Sequence, residues 1–468
     1  MRIQFDTKLT SKDLTSFINT YYKKSISESE VIFSMKKLEW IAVEELTFLF
    51  GWIRNVKLNN ENLKKIFVEL PTINQSEPEE FKDEKERDET IRRRRTRLIS
   101  LVENWKIMSA CGLAANEINI NSDLNPYLGK SHLTDNNWHS IIPFKAIPFL
   151  DYHSYNELRE NIKSEVEGKF KLQERTIKLL TNHTTKSIFD NKTLSNIITT
   201  ELYLNSLHHS FSHDAEFENK ECYFSISLRN KIDIDKYIET KKKEGIELTT
   251  KAAEKKIQGI LSSNSESERI KIERSYFKSG KSNQFKNDTF IEFTFLDFGK
   301  GIPSTLRTKY REELNDAERR EFLKQQLSDK HFESSKSENV NEDSLILEYA
   351  FLLHSSSNPF NKQLQINDYV PRGLFFLIDM VKRYNGMVVV KSNNGCVSYS
   401  FDDNSKLTKD CISFSDETND NYPGTLISIY IPAEVKDKRV KVNAVERVLI
   451  QPTTSQKREI KYLSLIHI

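Results

Sequence analysis

Residues Asp288–Pro303 read DTFIEFTFLDFGKGIP, and the fold turns on this stretch. Phe290, Glu292, Thr294 and Leu296 alternate with Ile291, Phe293, Phe295 and Asp297, so large apolar residues occur on both sides of the alternation. A strand of that kind is expected to be buried on both faces rather than half wet. Asp297 closes it. A carboxylate at the end of an apolar strand must find hydrogen-bond donors or stay charged where little solvates it. Gly299 and Gly301 follow. Glycines so close together let the backbone turn at positive φ and leave room for a flat group beside it. Asp-x-Gly-x-Gly-Ile-Pro therefore offers a seat for adenine: the carboxylate accepts from an exocyclic amine while bare backbone packs on the ring. Taken alone, the same pattern also fits a capped turn.

A second stretch, Asn196–Ser212 (NIITTELYLNSLHHSFS), reads as a helix whose buried face carries Ile197, Ile198, Leu202, Leu204 and Leu207. Glu201, Asn205 and His209 recur every four residues and so point the same way. A carboxylate and an amide on an otherwise apolar helix are costly to bury without partners. Magnesium with a bound phosphate would satisfy them, because this ion takes hard oxygen ligands and keeps several waters. For His209 alone, a packed or exposed histidine serves as well.

Together with Gly424-Thr425 at the start of an apolar strand (GTLISIYIP, Gly424–Pro432), these motifs occur in the order in which they resemble the GHKL ATP-binding fold of histidine kinases, gyrase B, MutL, anti-sigma serine kinases and a large chaperone family. The resemblance covers residues 190–434. It implies ATP and Mg2+ as cofactors. It makes Asn205 the magnesium ligand, Glu201 the residue that orients or deprotonates an attacking water, and His209 a phosphate contact. Asp297 with Gly299, Gly301 and Ile302 forms the first glycine box, and the Thr425 hydroxyl backs up the aspartate. The second box is thinned to Arg372-Gly373-Leu374, with a single glycine opening a helix over 374–383. Amides at that helix start could meet phosphate, with Arg372 adding a fixed charge. Residues 231–287 are longer than the expected hairpin turn and read as an insertion, and 328–372 as the lid over the nucleotide.

Ahead of this unit, Val31–Phe33, a helix over 38–56 with Val43, Leu46, Leu49, Phe50 and Ile53 on one face, and a strand over 65–70 form a strand–helix–strand unit. With a later helix over 99–111, the order resembles STAS domains, across residues 1–130. No serine stands at the helix start as a phospho-acceptor. Residues 131–189 read as a linker and long helix: IIPFKAIPFL as an edge strand or extended linker, then a charged helix over 158–180 able to pair with another helix, as in a homodimer. The fold class expected is thus α/β: a small STAS-like α/β domain, then a two-layer α/β sandwich of the GHKL (Bergerat) type. Beyond the glycine turn a helix is expected over 304–327, another over 344–354, strands over 387–391 and 396–401, and a polar loop over 402–421.

Composition narrows the class. Among 468 residues, 70 Lys and Arg nearly cancel 68 Asp and Glu, so bulk charge gives no case for nucleic acid or an acidic membrane surface. The block Glu77–Arg97, acids first and arginines after, reads as a solvated loop and helix start in keeping with the helix dipole. The cysteines, Cys111, Cys222, Cys396 and Cys411, are scattered, which fits a reducing compartment and argues against a cysteine zinc site. No apolar run spans a bilayer and the amino terminus lacks a signal core, so the expected location is cytoplasmic. Residues 435–462 read as a basic tail. The last six, LSLIHI, resemble the translated end of a sequencing adapter, which leaves open whether the natural chain continues past Tyr462.

Three functions fit. The first is a Mg-ATP-binding protein with slow ATPase activity, acting as a nucleotide-driven switch in signalling or stress and defence. The second is a serine/threonine kinase of the anti-sigma type acting on a STAS-like protein partner. The third is a non-catalytic nucleotide-sensing scaffold.

Overall fold

The chain begins with a parallel unit: strands β1 (Arg2–Gln4) and β2 (Lys8–Leu9), helix α1 (Ser11–Ser27), strands β3 (Glu30–Ser34) and β4 (Trp40–Ile41), helix α2 (Val43–Asn59), and strands β5 (Lys65–Glu69) and β6 (Ile118–Asn119). In this computed structural model the described residues are 1–70 apart from 6, 7, 10, 39 and 42, then 111–113, 117–119, 142–150, 157, 160–162, 164, 171–210, 221–230, 289–332, 340–352, 373–401, 408–414 and 422–433. Strands β1, β3, β5 and β6 form a parallel sheet in that order, and β2 pairs with β4. The strand–helix–strand expected over 31–70 is present. In front of it stand β1 and α1, which the sequence reading did not include, although Leu14, Phe17, Ile18, Tyr21 and Tyr22 carry the helical spacing.

The second unit contains β7 (Ile142–Pro148), α3 (Leu172–His183), α4 (Ile188–Asn196), a π-helical turn (Ile197–Glu201), α5 (Leu202–Ser210), β8 (Glu221–Asn230) and β9 (Thr289–Asp297). Next come α6 (Ile302–Asn315), α7 (Ala317–Gln326), α8 (Glu342–Ala350), α9 (Gly373–Arg383), β10 (Met387–Asn393), β11 (Gly395–Ser400), β12 (Ile412–Phe414) and β13 (Tyr422–Ala433). Among the described residues its sheet has seven strands in the order β12-β11-β10-β13-β9-β8-β7, every neighbouring pair antiparallel. The proline-flanked β7 takes an edge, where a missing N–H breaks no ladder.

Burial on both faces of β9 is what its sequence called for. Ile291, Phe293 and Phe295 join a core with Leu180, Leu194, Ile198, Leu202 and Leu207 of the α3–α5 layer. Leu296, with Phe298 just past the strand, joins the other core, which contains Phe48, Leu49, Trp52 and Ile53 of α2 and Val31, Phe33, Ile66 and Val68 of the parallel sheet. Helices α1 and α2 are therefore packed between two sheets, and the layers run parallel sheet, helices, antiparallel sheet, helices. The expected two-layer sandwich gains a cover on its second face. For the same reason α2 corrects its one-sided expectation: every residue from Glu44 to Ile53 is buried, as for a helix enclosed all round. Gly51 is what lets α2 approach, since a Cβ there would lie 2.9 Å from Leu296 Cδ2 and 3.2 Å from Phe298 Cε2.

Other boundaries differ from expectation for local reasons. The single helix expected over 304–327 is broken at Asp316, whose carboxylate accepts from the Arg319 amide at 2.8 Å and caps α7. The long helix expected over 158–180 is interrupted at Lys171, which takes φ 50° immediately before α3. The polar loop expected over 402–421 contains β12, which joins the sheet edge through backbone pairing with β11 and packs Ile412 and Phe414, both partly buried, against the core. Asn385, at φ 50°, ends α9 in the left-handed conformation. The charged block 77–97, most of the helix expected over 99–111, the insertion 231–287, most of the lid and the tail lie outside the described residues. Among the described residues no helix is long and apolar enough to cross a membrane.

Candidate functional site

Strand parity sends the Asp297 side chain the way of Phe293 and Phe295, toward α5. There the Ser206 hydroxyl donates to Oδ2 at 2.7 Å, and from the turn itself the Gly299 amide donates to Oδ1 at 2.9 Å. The Thr425 amide, on the strand facing Asp297 in register, is a further donor. A carboxylate can accept about four hydrogen bonds, so these donors leave it short. Burial outweighs them: desolvation pushes the carboxyl up to about 6 from an ordinary 3.8, while the bonds from Ser206, Gly299 and Thr425 pull it down. A ligand N–H arriving at this group would supply what it lacks.

Gly424 makes the closure of β13 on β9 possible. It has φ +82°, and a Cβ there would fall 2.0 Å from the Asp297 carbonyl oxygen and 2.6 Å from Phe298 Cα. Thr425 acts differently from expectation. Its amide, not its hydroxyl, reaches Asp297, and the hydroxyl lies 3.1 Å from Ser392 Oγ. Ser392 in turn donates to the Gly424 carbonyl at 2.7 Å and accepts from the Ile302 amide at 3.0 Å. The glycine turn is thus tied to the end of β10. Gly301, at φ +81°, lies against the same place, for a Cβ would meet Asn393 Oδ1 at 2.5 Å and Ser392 Oγ at 2.7 Å. Asn393 completes the tie, its Nδ2 donating to the Lys300 carbonyl at 3.1 Å and its Oδ1 accepting from the Ser304 hydroxyl at 3.1 Å.

On the helical side, Asn205 immediately precedes Ser206, so the helix that brings Ser206 to Asp297 carries Asn205 beside it. Asn205 is partly buried, and its Nδ2 is enclosed with no hydrogen-bond partner among the described residues. A carboxamide offers an oxygen to a hard cation and an N–H2 to a phosphate oxygen, and it is the N–H2 that lacks a partner. Glu201, one turn earlier and partly buried, is the last residue of the π-helical turn. Such turns inside α-helices recur at functional sites.

Ile302 and Leu374 both pack against the two cores that meet beside the glycine turn. Gly373 is the first residue of α9, so this glycine opens the helix expected after it. His209 lies on α5, but its side chain, like the whole of Arg372, is outside the described residues. Among the described residues no group of three or more His, Cys, Asp or Glu could hold a metal ion. A metal here would depend on oxygens brought by the ligand. The structure therefore brings together Asp297, Gly299, Gly301, Ile302 and Thr425 with the helix that carries Asn205. Ser206 and Ser392 went unread because a serine beside a motif has no signature of its own. The one signal for Ser206 was its place after Asn205.

No family model matches the chain, no curated protein matches it, and no solved structure matches it.

Proposed function

We propose that this chain is a GHKL-type protein that binds Mg-ATP and hydrolyses it slowly, using nucleotide occupancy as a conformational switch. The observation that carries this is the 2.7 Å bond from Ser206 to Asp297. It joins the acid that ends β9 to the residue next to Asn205, so two stretches 91 residues apart in sequence serve one site. Asp297 accepts from the exocyclic amine of adenine, with Gly299, Gly301 and Ile302 against the ring. Asn205 fits a magnesium–phosphate group, because its enclosed N–H2 is unpaired and its oxygen is a hard donor. Bound magnesium would neutralise phosphate charge. Glu201, one helical turn from Asn205, would orient or deprotonate the attacking water, and the amides at the start of α9 would meet phosphate.

The test is binding and turnover with ATP and magnesium. Asn205→Ala should weaken magnesium-dependent binding at least tenfold in calorimetry. Glu201→Ala should bind as the parent does and lose phosphate release. With labelled ATP, free phosphate supports the ATPase, label on a protein partner supports the kinase, and binding with neither supports the scaffold. No heat on adding ATP and magnesium to the parent protein ends the proposal.

A further inference from the structure

The residue after Asp297 faces the other way. Phe298 leaves the site and enters the core beneath the N-terminal unit, where it stacks on Tyr22 of α1 at 5.5 Å and 14°. It also meets Phe48 of α2 edge-on at 5.3 Å and 65°, and Tyr223 of β8 at 5.6 Å and 72°. The Gly299 amide closes back onto the Asp297 carboxylate across this residue, so the backbone of Phe298 cannot move without moving both. The second strand of the site repeats the device. Tyr422, just before Gly424-Thr425, meets the same Phe48 ring at 4.9 Å and 67°. Gly51 presses α2 onto Phe298 and Leu296 from above. Proximity has an electrostatic mark as well: the Tyr22 phenol is pushed far above its ordinary range by burial first and by the Asp297 carboxylate second.

We propose that Phe298 couples the Asp297 site to the N-terminal unit, so that filling the site tightens the packing of α1 and α2, and displacing those helices loosens the site. This rests on the nucleotide reading given above and names the element that regulates it. Phe298 is a positioning residue, acting through the backbone on either side of it. Coupling free energies are reciprocal, so the effect can be read from either end.

Hydrogen exchange of the full chain, with and without a non-hydrolysable ATP analogue plus magnesium, reads one end. Amides of α1 and α2 should exchange more slowly with the analogue bound. Gly51→Ala reads the other: it touches no ligand group, yet should weaken analogue binding about fivefold or more. Unchanged exchange in both helices with the analogue bound overturns the proposal, as does parental affinity in a folded Gly51→Ala protein. If Gly51→Ala does not fold, the exchange measurement on the parent decides alone. A parent protein that binds no analogue removes the nucleotide reading and this inference with it, whereas binding without protection removes only this one.

Discussion

Asp297 titrates against its own burial, and the sign of that shift separates stability from binding. Its carboxyl is pushed up to about 6, so the folded protein holds the proton more tightly than the unfolded chain does. The stability this gives is fully present below the ordinary 3.8 and is lost as pH rises through about 6. At about 1.4 kcal/mol per pH unit the loss is roughly 3 kcal/mol. Asp297→Asn stays neutral, and its amide oxygen can still accept from Gly299. It should therefore melt above the parent at pH 7.5, with the gap closing by pH 4, while nucleotide binding is abolished. In the parent, affinity should fall as pH drops below about 6, where the carboxyl no longer accepts from an amine. Scanning and titration calorimetry check both, and an Asn variant that melts lower than the parent at pH 7.5 contradicts the burial argument. The acid and its glycines were legible because an Asp at the end of an apolar strand is chemically conspicuous. The partners that settle its geometry were not: Ser392 and the Thr425 amide are ordinary groups whose roles come from register across β9, β13 and β10, and Ser206 takes its role from where α5 meets that sheet.

At the scale of elements, apolar alternation placed β9, β10, β11 and β13 close to where they lie, because those strands are long and mostly buried. Breaks inside polar helices were harder to see. The α6–α7 break at Asp316 depends on a cap, and beyond the buried Leu323 and Leu327 the far end of α7 is tied to α8 by a buried acid. Glu348 accepts from the Ser328 amide and hydroxyl, each at 2.7 Å, and lies 2.8 Å from His331 Nε2. The other ring nitrogen of His331 is 2.9 Å from the Tyr310 hydroxyl of α6. An isolated Glu in the run LILEYAFL shows nothing of this, since all its partners come from a stretch some twenty residues earlier. Glu348→Ala leaves the Ser328 donors and His331 without their acceptor, which should cost roughly 2–4 kcal/mol at about 1 kcal/mol or more for each bond lost. Glu348→Gln keeps one acceptor and should cost about half as much. Urea unfolding followed by circular dichroism gives the order, and equal losses for the two variants would mean that packing, not hydrogen bonding, holds the corner.

For the whole molecule, the doubly buried pattern of β9 demanded a cover on the far face of the sheet, yet nothing in that strand said which part of the chain supplies it. The cover is α1 and α2, and the contact is not purely apolar. Glu44 of α2, almost fully enclosed, accepts from Ser428 at 3.0 Å and Tyr430 at 3.1 Å of β13, and pairs with Lys391 of β10 at 3.2 Å. Thr47 donates to Ser225 of β8 at 3.0 Å, and Arg54 pairs with Glu221 at the start of the same strand. Apolar surface alone would let α2 slide along the sheet, whereas an enclosed charge pair has one low-energy register. Removing one member of such a pair strands the other, at about 3–5 kcal/mol, while replacing both can be close to neutral. Lys391→Met should therefore lower stability by about that amount. Lys391→Met with Glu44→Gln, which keeps an acceptor for Ser428 and Tyr430, should recover most of the loss. If the pair fixes register, the double variant melts near the parent but shows faster hydrogen exchange in α2. A double variant as unstable as Lys391→Met alone would place the stabilisation in the lysine's own packing instead.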